Sequence, residues 1–147
     1  MNKPARVVAA GVVGTVIMSA TAMLVHLLGG PKMSAPHMVS SMMGMPEAVG
    51  WMMHFGIGIA FAGLYALLLG PALRPLRNPL GRGVAFGVVA FILAQVSIVA
   101  MSKVFGRTPP VPAGMAVMAV ASMLQHVIFG VSVAVSIDAA SPARASA

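Results

Sequence analysis

The sequence predicts an all-α membrane protein with four transmembrane helices arranged as two tandem hairpins. Hydrophobic residues make up 59% of the 147 residues and charged residues only 7%, a balance far from that of soluble domains. The unbroken apolar runs are long enough to cross a hydrocarbon layer of about 30 Å. A motif of small residues around a histidine occurs twice in the chain, which indicates an internal repeat.

The duplicated motif places a histidine among small residues at every fourth position, so its members share one helix face. The first copy consists of Gly50, His54, Gly58 and Ala62. The second copy, 72 positions later, consists of Ser122, His126, Gly130 and Ala134. Small residues at this spacing let helices approach closely, so these residues are predicted to pack helix against helix.

The helices before the two motifs also resemble each other. Residues 6–13 align with residues 82–89 at an offset of 76, with six identities. The difference between the offsets predicts a first hairpin loop four residues longer than the second. Two hairpins running the same way through the membrane predict a pseudo-two-fold axis along the membrane normal, the parallel kind of repeat.

The first predicted helix covers residues 7–29 and follows a short basic lead. The segment Ala20-Thr21-Ala22 resembles the cleavage site of a secretory signal. The apolar run continues beyond this site and exceeds the usual signal core of about 7–15 residues. We therefore expect the segment to remain in the protein as a helix.

The connection after this helix contains residues 36–45, which we expect to form a short amphipathic helix in the membrane interface. Pro36 stands at its start and Gly44 at its end, as is typical of helix boundaries. Trp51 then opens the second predicted helix, residues 51–69, and indole side chains favour the headgroup layer. The third and fourth predicted helices cover residues 83–101 and 115–137.

The distribution of basic residues predicts that both termini are cytoplasmic, because short cytoplasmic loops are enriched in Lys and Arg. The other side of the membrane has only Lys32, Lys103 and Arg107. The cytoplasmic side is expected to collect Lys3, Arg6, Arg74, Arg77, Arg82 and Arg144. We thus expect a multi-pass protein of the bacterial inner membrane. A nucleic-acid partner is not expected, because the net charge of +7 forms no clustered basic face with aromatics.

The repeat predicts that His54 and His126 lie at equal depth in the outer half of the bundle, facing each other if their helices meet at the pseudo-axis. His26 falls near the same level, at the outer end of the first helix. Eleven of the 14 methionines are also assigned to the outer half, and Met53 and Met118 are the candidate ligands among them. The sequence therefore predicts a His/Met-rich pocket.

Three interpretations of this pocket remain open. Imidazole and thioether groups suit a soft metal such as copper, as Cu(I). Two facing histidines also suit a b-type haem, with Gly58 and Gly130 leaving room for the macrocycle. Alternatively, each histidine forms a hydrogen bond across a helix interface. The candidate partners for such bonds are Gln95, Ser97, Ser122, Gln125 and Tyr65.

Enzymatic chemistry is not expected. Glu47 and Asp138 are the only acidic residues, and the predicted topology puts them on opposite sides of the membrane, so they cannot form a catalytic carboxylate pair. The chain has no cysteine and no nucleophile-elbow or phosphate-binding motif. Besides ligand binding, the alternatives are a structural or assembly subunit of a membrane complex and a small dimeric transporter. The expected partners are the lipid bilayer and a homodimer mate or a larger membrane complex.

Two segments carry a resemblance to a known family. The segment from Gly50, Gly-Trp-Met-Met-His-Phe-Gly, opens the second helix, and Gln-His-Val-Ile-Phe-Gly, from Gln125, lies in the fourth. They resemble an uncharacterised family of small four-helix bacterial inner-membrane proteins with Gly-Trp-x-x-His and His-x-x-x-Gly segments. The resemblance implies a four-helix inner-membrane protein, directs attention to His54 and His126, and implies no activity.

Overall fold

The computed structural model describes residues 2–32, 34–108 and 114–139. These residues form helices and no strand. The five helices are α1 (Lys3–Leu27), α2 (Ala35–Met43), α3 (Glu47–Ala72), α4 (Pro79–Phe105) and α5 (Met115–Asp138). The four long ones, α1, α3, α4 and α5, are apolar enough to cross a membrane. Arg144, which the sequence assigns to the cytoplasmic side, lies outside the described residues.

The long helices extend beyond the apolar runs because polar capping residues lie outside those runs. The Asn2 side chain accepts a hydrogen bond from the backbone N–H of Ala5 at 3.0 Å and begins α1. Asn78 caps α4 in the same way, with Pro79 in the first turn. Gly106, with a φ of 64°, ends α4.

The two hairpins, α1–α3 and α4–α5, cross at equivalent glycines. A Cβ added to Gly11 would lie 2.6 Å from the Cα of Ile59, and one added to Gly83 would lie 2.5 Å from the Cα of Val131. Each residue of the second pair follows its counterpart by 72 positions. The contacts in both hairpins therefore follow a single offset of 72. The sequence alignment of the first helices at an offset of 76 differs from this register by four residues, about one helical turn.

A second level of close approach follows the same offset. Gly58 lies directly against the side chain of Thr15, and a Cβ on Gly130 would lie 2.7 Å from the Cα of Gly87. Both glycines are buried. On the small-residue faces of α3 and α5, Gly58 therefore packs against α1 and Gly130 packs against α4.

The hairpins do not pack on each other symmetrically. Helix α1 packs against α5 as well as α3, whereas the pseudo-symmetric pair, α4 and α3, makes little direct contact. Helix α2 packs against α3 and also reaches α4. The pseudo-two-fold relation therefore describes the inside of each hairpin and not the way the hairpins meet.

Helix α2 is partly buried. Its residues Val39 and Met42 are 7% and 1% exposed, so one face of this helix packs against the bundle. Arg107, just after α4, donates a hydrogen bond from Nη1 to the carbonyl oxygen of Ser41 at 3.2 Å. This contact links the last turn of α2 to the end of α4.

An aromatic core joins α3, α4 and α5 near the end of the bundle where α3 is connected to α4. The ring centroids of Tyr65 and Phe86 are 5.0 Å apart, and those of Phe86 and Phe129 are 6.1 Å apart. Tyr65 is fully buried and begins a π-helical turn, Tyr65–Leu69, inside α3. Most side chains in the halves of α4 and α5 away from this end are exposed. The core is therefore concentrated at the end of the bundle that contains Tyr65.

Candidate functional site

His54 lies on α3 and His126 on α5, two helices that make little direct contact. Both side chains are half-buried. The two imidazoles lie close enough for a charge on one to interact with a charge on the other. The two predicted histidines are therefore within electrostatic range of each other, and among the described residues no hydrogen bond joins the two rings.

The His54 ring contacts α1. Its Nε2 atom lies 3.2 Å from the Oγ atom of Ser19, and its ring packs edge-on against Trp51 at 6.2 Å. Ser19 was not among the partners suggested by the sequence. Its position four residues after Thr15, which contacts Gly58, is the signal that could have identified it.

The His126 ring has one nitrogen engaged and the other free. Its Nδ1–H donates to the carbonyl oxygen of Ser122 at 2.7 Å, because a carbonyl can only accept. This bond leaves the lone pair on Nε2, and Nε2 has no hydrogen-bond partner within the described part of the chain. His126 therefore presents an unused basic nitrogen to its surroundings.

The two histidines meet different neighbours at equivalent positions. The ring of Phe91 contacts the His126 ring at 5.7 Å, edge to face. Phe91 follows Ser19 by 72 positions, so the repeat puts a hydroxyl beside His54 and an aromatic ring beside His126. The pair is equivalent in backbone position and distinct in chemistry.

The other candidate ligands are His26, Met53 and Met118. His26 is exposed at the end of α1, where its Nδ1 lies 3.5 Å from the carbonyl oxygen of Gly30. Met53 is exposed, and Met118 is half-buried near the start of α5. Over residues 2–32, 34–108 and 114–139, no group of three or more His, Asp or Glu side chains is placed to hold a metal. A metal at His54 and His126 would thus have no third imidazole or carboxylate ligand from these residues.

The glycines beside the histidines leave no room for a haem. Gly58 contacts Thr15, and Gly130 contacts Gly83 and Gly87 through the backbone. The space that the sequence assigned to a macrocycle at Gly58 and Gly130 is therefore filled by neighbouring helices. The structure does not fit the b-type haem interpretation.

The remaining small residues of the two motifs lie in helix contacts. Gly50 lies directly against the carbonyl oxygen of Pro36 in α2. Ala62 and Ala134 are fully buried in the core, and Ser122 is half-buried. Their size permits the close approach of the neighbouring elements.

Gln125 and Ser97, two of the polar residues proposed as histidine partners, form hydrogen bonds elsewhere. The Gln125 amide, oriented by its surroundings, donates to the carbonyl oxygen of Met18 at 2.8 Å and accepts from the N–H of Ala22 at 3.3 Å. It therefore bonds α5 to the backbone of α1. Ser97 donates to the carbonyl of Leu93 in its own helix at 2.8 Å.

A second polar cluster lies next to the aromatic core, at the end of the bundle where α3 is connected to α4. Asp138 Oδ2 accepts from the hydroxyl of Tyr65 at 3.0 Å and from Nη1 of Arg82 at 2.9 Å. Arg82 also donates from Nε to the carbonyl oxygen of Leu76 at 2.7 Å. The sequence placed these charged groups on the same side of the membrane but did not predict that they pair.

Comparison with known proteins gives a family but no function. The profile of a family of unknown function (DUF6789) matches residues 1–147. No curated protein and no solved structure matches the chain.

Proposed function

The chain belongs to this family of unknown function, DUF6789, and we propose that it is a multi-pass membrane protein whose histidine pair binds a soft metal ion, Cu(I). The observation that carries the proposal is the Nε2 of His126, which has no hydrogen-bond partner among the described residues and lies within electrostatic range of a second imidazole. The proposed role is binding rather than enzymatic chemistry.

The surfaces of the long helices support insertion into a membrane. They have 24 to 27 residues each and mean hydropathies of 1.8 to 2.4 over their most apolar windows. Such helices are about 36–40 Å long, enough to cross a hydrocarbon core of about 30 Å. Only 17% to 22% of each window is buried inside the protein, so the apolar outer faces require an apolar solvent.

The charges at the two ends of the bundle support cytoplasmic termini. Lys32, Lys103 and Arg107 lie at the opposite end from the turn that joins α3 and α4. The end with this turn carries Lys3, Arg6, Arg74, Arg77 and Arg82. This bias orients the latter end toward the cytoplasm. A bacterial inner membrane is the location that the resemblance of the two histidine segments implies.

The chemistry of the paired imidazoles supports Cu(I) over harder ions. Neutral imidazole nitrogens bind copper, whereas Mg²⁺ and Ca²⁺ prefer oxygen ligands. A hydrogen bond from Nδ1–H to a carbonyl, as His126 makes to Ser122, is the usual way in which a metal-binding histidine is oriented through its second nitrogen. His54 would supply the other nitrogen, so two neutral imidazole rings would bind one cation.

Metal analysis of the detergent-purified protein tests the proposal. We expect about one equivalent of Cu(I), offered under anaerobic conditions, to bind the unmodified protein. His54→Ala and His126→Ala should each abolish this binding, because two nitrogens are the minimum for the site. His26→Ala and His37→Ala are the matched controls, since both side chains are exposed outside the pair. Equal copper binding by the His54→Ala/His126→Ala double variant would refute the site.

One contact favours a second candidate function, that of a structural subunit. The bond between His54 and Ser19 joins α3 to α1, and polar contacts of this kind hold helices together in membranes. Under this alternative, Ser19→Ala lowers stability by about 0.6 kcal/mol and the protein binds no copper. Under the metal proposal, Ser19→Ala leaves His54 more available, so copper affinity is retained or increased.

A further inference from the structure

Gln95 on α4 presents its amide to the outside of the bundle, deep within the span. Its side chain is exposed. Along the helix axis it lies about 4 Å from the midpoint between Arg82 and Lys103, the basic residues near the two ends of α4. The amide is thus too far from either interface to reach water or a lipid headgroup.

The Gln95 amide has no hydrogen-bond partner among residues 2–32, 34–108 and 114–139. Gln125, the glutamine within α5, is 5% exposed and bonded to the backbone of α1. The hydroxyls of Thr21 and Ser97 bond to carbonyls of their own helices. Gln95 therefore differs from these groups in having a donor and an acceptor directed into the surroundings.

Hydrocarbon provides no partner for an amide, so an exposed one at this depth is strongly unfavourable. A group that carries both a donor and an acceptor is complementary to a second copy of itself. Two copies inserted in the same orientation bring their Gln95 side chains to the same depth. A two-fold axis along the membrane normal then lets each amide donate to and accept from its mate.

We propose that α4 forms a homodimer interface with Gln95 at its centre. Val88 and Val99 lie on the same helix face, seven residues before and four residues after Gln95, and are 37% and 58% exposed. Their β-branched side chains flank the paired amides and pack against the mate. The inference rests on the membrane insertion proposed above and is independent of the copper site.

Single-cysteine variants test the interface directly, because the chain has no cysteine. In native membranes, oxidation with iodine should cross-link Val99→Cys into a dimer. Val96→Cys is the matched control, since Val96 is also exposed, at 61%, and lies about 100° around the helix from Gln95. We expect the dimer band of Val99→Cys to exceed that of Val96→Cys at least several-fold.

The role of the amide is tested by Gln95→Leu in the Val99→Cys background. A lipid-facing leucine should leave the fold intact while weakening dimerisation roughly tenfold, measured by energy transfer between labelled copies as lipid dilutes the protein. Gln95→Asn, which keeps an amide, should retain most of the dimer.

Equal cross-linking at Val96 and Val99, no loss of dimer in Gln95→Leu, or cross-links only to a different protein would each overturn the proposal. Extraction of the protein from membranes by alkaline carbonate would instead refute membrane insertion. The two failures are therefore distinguishable.

Discussion

Asp138 is the side chain that joins three helices at the end of the bundle where α3 is connected to α4. It stands at the end of α5 and accepts hydrogen bonds from Tyr65 on α3 and Arg82 on α4. The Arg82 and Asp138 side chains are 19% and 18% exposed. The sequence identified Asp138 as one of only two acidic residues, but its partners are 73 and 56 positions away and depend on how the helices pack.

Replacing Asp138 by Asn should destabilise the protein by about 1–3 kcal/mol, because Arg82 is left without its counter-charge in a mostly buried setting. Reversible unfolding in mixed micelles measures the loss. The matched control is Glu47→Gln, whose side chain is 56% exposed and 3.9 Å from His37, and its effect should stay within about 0.5 kcal/mol. Equal effects of the two variants would contradict the role given to Asp138.

The histidines show what spacing can and cannot predict. The shared motif around His54 and His126 predicted that they occupy equivalent positions, and both follow the offset of 72 that the glycine contacts share. The partners Ser19 and Phe91 were not predicted, because their equivalence becomes visible only at the offset of 72 that the glycine contacts follow. A serine and a phenylalanine at matched positions do not look alike in sequence.

At the scale of elements, close packing at glycines determines how each hairpin crosses. The sequence predicted small-residue faces on the second and fourth helices, since the four-residue spacing is a local property. It did not predict that Gly11 meets Ile59 or that Gly83 meets Val131. Aliphatic matches between α1 and α4 instead favoured an alignment shifted by one turn.

Gly11→Ala and Gly83→Ala should each destabilise the protein by about 1–3 kcal/mol, because the added methyl group would overlap backbone atoms of the facing helix. Gly56→Ala is the control, since nothing lies within 4 Å of its added Cβ. That change should be neutral or stabilise by up to about 1 kcal/mol through better helix propensity. Unfolding in the same micelles ranks the three variants, and a Gly11→Ala protein as stable as Gly56→Ala would disprove the crossing.

Helix α2 also shows which features follow from the local sequence and which depend on tertiary packing. Ser34 caps its start and Gly44, with a φ of 68°, ends it, and such boundary residues can be read from sequence. The burial of Met42 depends on the space beside α3 and α4, which no local pattern reports. The helix was therefore predicted and its packing was not.

Arg107→Ala should loosen α2 by removing the hydrogen bond to the Ser41 carbonyl. We expect amide hydrogen exchange in α2 to accelerate about 2–10-fold, as loss of one hydrogen bond implies, with no change in α5. Lys103→Ala is the control, because Lys103 has no hydrogen bond within the described residues. Unchanged exchange in α2 of the Arg107→Ala protein would show that the contact does not hold this helix.

At the scale of the whole molecule, the duplicated hairpins are combined asymmetrically. The sequence predicted two similar hairpins and a pseudo-two-fold axis. In the structure α1 packs against α5, whereas α3 and α4 meet mainly through α2 and the aromatic core. Internal repeats reveal the unit that was copied, but the contacts between units depend on residues in which the copies differ.

The orientation of the whole molecule can be measured with single cysteines in the naturally cysteine-free chain. Lys32→Cys should react with a membrane-impermeant maleimide in spheroplasts, because the basic-residue bias places it outside. Arg77→Cys, in the turn between α3 and α4, should react only after permeabilisation. The opposite pattern would reverse the proposed topology.

The π-helical turn at Tyr65–Leu69 makes α3 differ from α5, its counterpart in the second hairpin. A π-turn holds one residue more than the α-helix it interrupts, and α5 has no such turn among its described residues. The wider turn absorbs the extra residue, so the part of α3 after Leu69 is shifted by one residue from the register of α5. A chimera that exchanges the ends of α3 and α5 at the offset of 72 must therefore be joined before Tyr65, because a junction after the turn would leave the exchanged segment about 100° out of rotation with its partners.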